Sequence, residues 1–259
     1  MKKAIIKWSF RVLLFAVTLL GLLVIIVLNP SLMYANKKIL GDFNVYHDNP
    51  IDKDCKLRLD DAMNILQTSE LYDSTIKFDI CLNDGSHFPE LLEIFLGRAF
   101  ALGYTSNKVT LCDKTNFQEN YVEVNGLKWN LTQLLAHEET HCLVFHKLGF
   151  WNSNPVANHP KWKWEGYPEY VARQQPYQLV LAKNIEQLIE GEKKEKDEWG
   201  ISFADSTITS REYFKYRLLN QYCFEIRKMS FNDLLNDTSS EQTIEKQMMD
   251  WYDMQKLTE

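Results

Sequence analysis

Hydrophobic and polar positions follow three regimes along this chain. In the first, residues 12–28 (VLLFAVTLLGLLVIIVL) are seventeen uncharged residues in succession. With residues 8–10 added and Arg11 snorkelling, the run reaches about twenty-one residues, enough to cross a bilayer as a helix. In the second, FNVYHD (43–48) alternates with the period of a strand, and CKLRLDDAMNILQTSELY (55–72) sets Leu59, Met63, Leu66 and Leu71 at helical spacing. STIKFDICLN (74–83) puts Ile76, Phe78 and Ile80 on one face of a strand. FPELLEIFLGRAFALGY (88–104) predicts a helix with Pro89 in its first turn and an end near Gly103, and NKVTLC and YVEVN are short strands. This order (β, α, β, α, β, β) suggests a small α+β module rather than a parallel α/β sheet.

In the third regime, from Asn130 onward, the spacing is helical. NLTQLLAHEETHCLVFHKLG (130–149) opens on Asn130 as an N-cap and closes on Gly149. Asn152, Asn154, Pro155, Asn158 and Pro160 mark 150–163 as a connector, a helix starts near Glu165, and Pro176 interrupts it. QLVLAKNIEQLIE, REYFKYRLLNQYCFEIRKM and EQTIEKQMMDWYDMQ predict three further helices, and the charged run GEKKEKDE (191–198) is a solvated tip between two of them.

Charge adds direction to the apolar run. Lys2, Lys3, Lys7 and Arg11 precede it and only Lys37 and Lys38 closely follow, which puts the N-terminus in the cytoplasm and the remaining chain outside. The rival is a cleaved signal peptide, and it is the weaker reading: the run is long for one, and the best cleavage site, LMYA, has Met33 where a small residue is wanted. The net charge of −6, with Lys and Arg scattered, argues against a nucleic-acid partner. The five cysteines (Cys55, Cys81, Cys112, Cys142, Cys223) suit an exported domain with one or two disulfides, Cys81 with Cys112 being one candidate pair. Cys142 reads instead as a small buried hydrophobe.

The candidate chemistry lies in HEETH (137–141). His137 and His141, four apart on a helix, project one turn apart from one face, the spacing at which both rings can hold one metal ion. Glu138 sits one step round the helix, where it can reach a metal-held water without ligating. Leu134, Val144 and Leu148 share the histidines' face, and Leu131, Leu135, Cys142 and Phe145 share that of Glu138, so the helix is written to be buried. Two imidazoles and a carboxylate buried without partners would cost several kcal/mol. A divalent metal satisfies all three; the alternative is a pair of core histidines bonded to carbonyls, with Glu138 facing solvent. A third ligand is available at Glu165, which shares a helical face with Glu169, or at His159 in the connector. Lys147 stands where a metzincin would have its third histidine, and His146 points elsewhere.

HExxH followed by Glu-Gly-x-x-Glu-Tyr in aromatic company (WKWEGYPEY) resembles the gluzincin superfamily of zinc peptidases, which includes thermolysin-like and aminopeptidase-N-like enzymes. The resemblance covers roughly 108–174. It implies His137, His141 and Glu165 as ligands of one Zn²⁺, Glu138 as general base, and Glu169 bracing His137 from behind. It further implies a Tyr or His donor to the tetrahedral oxygen, for which Tyr213 and Tyr216 are the candidates, with Tyr167 and Tyr170 as others. The twenty-three residues between His141 and Glu165 form a longer gap than is usual in that superfamily, and the aminopeptidase signature Gly-x-Met-Glu-Asn is missing, which favours an endopeptidase. Trp162 and Trp164 either wall the cleft or, preferably, pack the second helix, and YVEVN is either a substrate-pairing edge or an interior strand.

These readings combine into an α+β fold: a small mixed sheet with helices, then a zincin-type helix pair and an all-helical C-terminal part. The divisions fall at 1–36 (cytoplasmic tip and signal anchor), 37–129 (α+β) and 130–259 (helical, metal-binding). The expected function is a membrane-anchored, extracytoplasmic zinc metallopeptidase acting on peptide or protein substrates. The alternative is a catalytically inactive, zincin-like tethered binding or structural protein. A purely structural zinc site would need a fourth protein ligand from His159, His146 or a cysteine.

Overall fold

The computed structural model describes residues 2–193 and 200–257, so most of the charged run at 191–198 lies outside the described residues. The chain begins with α1 (Lys2–Leu28), whose stretch Trp8–Leu28 is long and apolar enough to span a membrane. Its last turns meet the folded part, where Ile26 and Val27 pack against a cluster of Tyr34, Tyr46, Cys81, Phe88 and Leu92.

The folded part opens with β1 (Asn36–Leu40), β2 (Phe43–His47), α2 (Cys55–Leu66), β3 (Phe78–Cys81), α3 (Phe88–Leu96), β4 (Ala101–Tyr104) and β5 (Lys108–Leu111). Their five strands form one sheet in the order β1-β2-β3-β5-β4, parallel across β2-β3-β5 and antiparallel at both margins. The mixed sheet agrees with the α+β expectation, but one of its edges was read as helix. Residues 88–104 do not form one helix: α3 stops at Leu96, Gly97 turns the chain with φ 91°, and 101–104 becomes an edge strand. The apolar spacing continues through ALGY; pairing with β5 decides its conformation, and local propensity does not. A second, antiparallel sheet follows from β6 (Lys114–Asn116), β7 (Tyr121–Val124) and β8 (Leu127–Asn130), with β7 in the middle, so YVEVN is interior.

β8 runs directly into α4 (Leu131–Leu148). Asn130 ends the strand and caps the helix, its side chain accepting from the Gln133 N–H at 3.0 Å. Every residue from Leu131 to Thr140 is buried. α4 packs on the sheet and α2 through Leu131, Leu135 and Leu143, against Val45, Ile80, Val109, Leu59 and Leu66.

After the connector come α5 (Lys161–Trp164) and α6 (Gly166–Ala172), separated by Glu165, then α7 (Leu181–Lys193), β9 (Gly200–Ser202), β10 (Ile208–Ser210), α8 (Arg211–Gln221), α9 (Phe231–Asn236) and α10 (Glu241–Lys256). The helices expected here are present, but the part is not all-helical: β9 and β10 form an antiparallel hairpin. Strands of three residues are too short for alternation to register, and the turn rests on Ser206 at φ 65°. α7, α8, α10 and the hairpin enclose a second core that includes Ile185, Ile201, Phe214, Leu219 and Met248.

The expected disulfides are also corrected, since all five cysteines are buried and free. Each serves as a core residue: Cys142 Sγ donates to the Lys108 carbonyl at 3.3 Å, and burial pushes the Cys55 thiol up to about 12, so neither is disposed to ionise.

α6 and α8 meet at Gly166, where an added Cβ would sit 2.6 Å from the Tyr216 carbonyl and closer still to the Asn220 amide. That amide cannot withdraw without losing its bonds to the Trp162 and Tyr216 carbonyls at 2.8 and 2.9 Å. Gly166→Ala is therefore expected to destabilise the protein by about 1–3 kcal/mol. Thermal unfolding of the full chain in micelles measures this, and an unchanged midpoint would contradict the close packing.

Candidate metal centre

α4 presents His137 and His141 from one face, and the break between α5 and α6 delivers Glu165 opposite them. The two Nε2 atoms lie 3.1 Å apart, and Glu165 Oε2 is 3.2 Å from His141 Nε2 and 3.5 Å from His137 Nε2. Three atoms holding a tetrahedral metal with bonds of 2.0–2.1 Å would be about 3.3 Å from one another. The observed triangle is that size, and its corners are lone-pair donors when the imidazoles are neutral. Among the described residues this is the group of His, Cys, Asp and Glu side chains that could hold a metal ion. The alternative ligand is placed elsewhere: His159 stacks on Trp164 with an interplanar angle of 6°, and its Nε2 is 2.9 Å from the Asn152 carbonyl oxygen. His146 faces Asp73 at 3.7 Å.

Behind the triangle lies a buried polar network. His137 Nδ1 is 3.5 Å from Glu169 Oε1, and Glu169 is ion-paired with Arg173, both side chains being 2 % exposed. Arg173 donates onward to Gln133 Oε1 at 2.8 Å, which ties the second helix back to the first turns of α4. Burial alone would make Glu169 harder to ionise, but the Arg173 guanidinium and His137 reverse this and hold it down at about 2. Burial likewise opposes charge on His137, and the Glu165 and Glu169 carboxylates outweigh it, raising its pKa to about 10. Glu165 sits well below the usual carboxylate range because the two imidazoles overcome its own burial.

Glu138 lies beside the triangle, 8 % exposed, and accepts a 2.6 Å hydrogen bond from the Gly103 N–H. Burial raises its pKa, opposed by His137, His141 and that N–H. Gly103 permits the approach, since a Cβ there would run into the Glu138 carbonyl. The carboxylate opens on a cleft of about 490 Å³ between α4, β4 and the second helix, lined also by Arg98, Phe100, Trp129, Trp164 and Tyr213.

The tyrosine candidates separate. Tyr213 lines the cleft with its ring 6.1 Å from that of His137, and burial holds its hydroxyl protonated, well above the phenolic range. Tyr216 is not among the lining residues; its hydroxyl donates to Glu212 Oε1 at 2.8 Å. Tyr167 bonds Ser69 at 2.8 Å, and Tyr170 packs on Phe224. Trp164 walls the cleft as the less favoured reading had it, whereas Trp162 is packed in the helical core. The edge strand at the cleft is β4, not β7. Sequence reasoning missed Arg98, Phe100, Gly103 and Trp129; a glycine within the apolar ALGY was the available sign of close backbone approach. Glu139, one residue further along, is fully buried with no hydrogen-bond partner, and burial pushes its pKa well up.

Without metal, a protonated His137 is stabilised between two carboxylates. This contribution is fully present below the unfolded value of 6.5 and is lost as pH rises through about 10. A metal must displace that proton, so its affinity rises with pH. The Zn²⁺ dissociation constant, measured by competition with a chromophoric chelator, is expected to fall about tenfold per pH unit between pH 6 and 8; a pH-independent affinity would contradict this charge arrangement. No family model, curated protein or solved structure matches the chain.

Proposed function

We propose that the chain is a membrane-anchored zinc metallopeptidase of gluzincin type, its N-terminus cytoplasmic and its cleft outside. The observation that carries this reading is the 3.1, 3.2 and 3.5 Å triangle with a buried carboxylate, Glu138, beside it on an open cleft. Three protein ligands leave one coordination position free, the arrangement of a catalytic rather than a structural zinc site. When bound, zinc supplies Lewis acidity, acidifying water and polarising a carbonyl.

The chain's own residues carry the remaining steps. Glu138, with a pKa raised above that of an ordinary carboxylate, accepts the proton of the attacking water and returns it to the leaving amine. The Gly103 N–H fixes the direction in which that carboxylate points. Glu169, held by Arg173, orients the His137 ring so that Nε2 faces His141 Nε2 and Glu165 Oε2, the atoms that would hold the metal with it. Tyr213, kept protonated by burial, is the donor available to the developing oxyanion. An extended substrate pairs its backbone with the edge of β4, which lines the cleft.

The test compares metal content and peptide cleavage of the purified full chain and its Glu138→Gln variant. The expected outcome is about one zinc per chain in both and cleavage about 10²–10⁴-fold slower in the variant. Zinc in both with cleavage by neither would contradict the peptidase reading and favour an inactive zincin-like protein. Zinc in neither would contradict the metal site as well.

A further inference from the structure

The end of α3 is unusual for a surface helix. Ile94, Phe95 and Leu96 are consecutive large hydrophobic residues with exposures of 76, 51 and 55 %. Isolated exposed apolar side chains are ordinary, but a contiguous patch of them marks an interaction surface. The patch also adjoins the membrane helix, because Phe95 lines an apolar groove together with Leu20, Leu23, Val24, Val27 and Leu28 of α1. At 1.5 Å per residue, Leu20 to Leu28 covers about 12 Å of helix. This is the outer end of the 21-residue span, Trp8–Leu28. Half of the hydrocarbon core is about 15 Å thick, so a residue seated against this stretch lies at the depth of the outer leaflet.

The placement is held by more than one contact. Ile26 and Val27 pack against the cluster that includes Phe88 and Leu92, the buried face of α3 itself. The Tyr104 hydroxyl, at the end of β4, donates to the Val27 carbonyl at 3.4 Å. Immediately after the apolar trio, Gly97 turns the chain, and Arg98 follows, exposed. A basic residue next to inserted apolar side chains suits the headgroup layer, where it meets lipid phosphate while its stem stays in apolar surroundings. The same short segment is a wall of the candidate metal centre: Leu96, Arg98, Ala99 and Phe100 line its cleft.

We infer that residues 94–98 form a second, monotopic membrane contact, with Ile94 and Phe95 inserted in the outer leaflet beside α1 and Arg98 at the headgroups. The mouth of the cleft then opens at the lipid surface, where polypeptide tethered to the same membrane reaches it ahead of freely diffusing peptide. The inference rests on the part of the proposed function in which α1 spans the bilayer, and it is independent of whether the cleft cleaves anything.

The test needs no turnover. Single spin labels are attached at Ile94→Cys, at Val17→Cys within α1, and at Lys246→Cys on α10 in the full chain, reconstituted in phosphatidylcholine–phosphatidylglycerol vesicles. The five native cysteines are buried and free, so the parent chain sets the labelling background. Collision of each label with oxygen, which partitions into lipid, is compared with collision with a water-soluble nickel chelate. The expected result is an oxygen-to-nickel ratio at 94 that lies below that of the mid-span label at 17 and exceeds that at 246 several-fold. A lipid-exposed label at 17 with a water-exposed label at 94 overturns the inference and leaves the anchor standing. Low collision with both reagents at 94 means that protein covers the patch, which also overturns it. A water-exposed label at 17 overturns the anchor reading and the inference together.

Discussion

Two imidazole nitrogens and a carboxylate oxygen converge to within 3.5 Å against a helix whose first ten residues are all buried, and the remaining architecture answers to that constraint. Lone pairs do not tolerate this crowding in a low-dielectric setting unless a proton or a cation lies between them. Without metal, His137 must keep its proton against burial, and it can do so only because carboxylates stand on both sides of it. The arrangement is thus poised: the charge that stabilises the metal-free form is the one a divalent ion displaces.

Other features follow from holding that convergence in place. α4 is anchored at its start by the Asn130 cap and by Gln133, which receives Arg173 from the second helix. Glu165 reaches the triangle because the chain breaks between α5 and α6, and the break is pinned against α8 at a glycine too tightly packed to carry a side chain. On the other side β4 runs so close to α4 that Gly103 can offer its N–H to Glu138. Two glycines permit these close approaches, Gly103 against Glu138 and Gly166 against α8. Glu139 stands apart, a buried carboxyl with neither oxygen hydrogen-bonded, and nothing in the structure explains it.

Legibility in the sequence tracked the range of the interactions involved. Period four on one helix made His137 and His141 readable as a pair, and period four on another did the same for Glu165 and Glu169. Charge count and unbroken apolar length made α1 readable. What failed depended on contacts distant in sequence. ALGY continues the apolar spacing of α3 and becomes a strand only because β5 pairs with it. Tyr216 shares its helix with Tyr213 but turns its hydroxyl to Glu212, away from the cleft. The cysteines had the count of an exported disulfide framework, yet each is placed as a core side chain. A three-residue hairpin strand carries too few positions for any period to appear.

The proposed metal site consists of His137, His141 and Glu165, with no cysteine and with one coordination position left open. X-ray absorption at the zinc K-edge of the zinc-loaded full chain tests it most directly. The expected spectrum has a first shell of nitrogen and oxygen at about 2.0–2.1 Å, with the outer-shell scattering of two imidazoles. A sulfur shell at about 2.3 Å, or a first shell without imidazole, would contradict the claim.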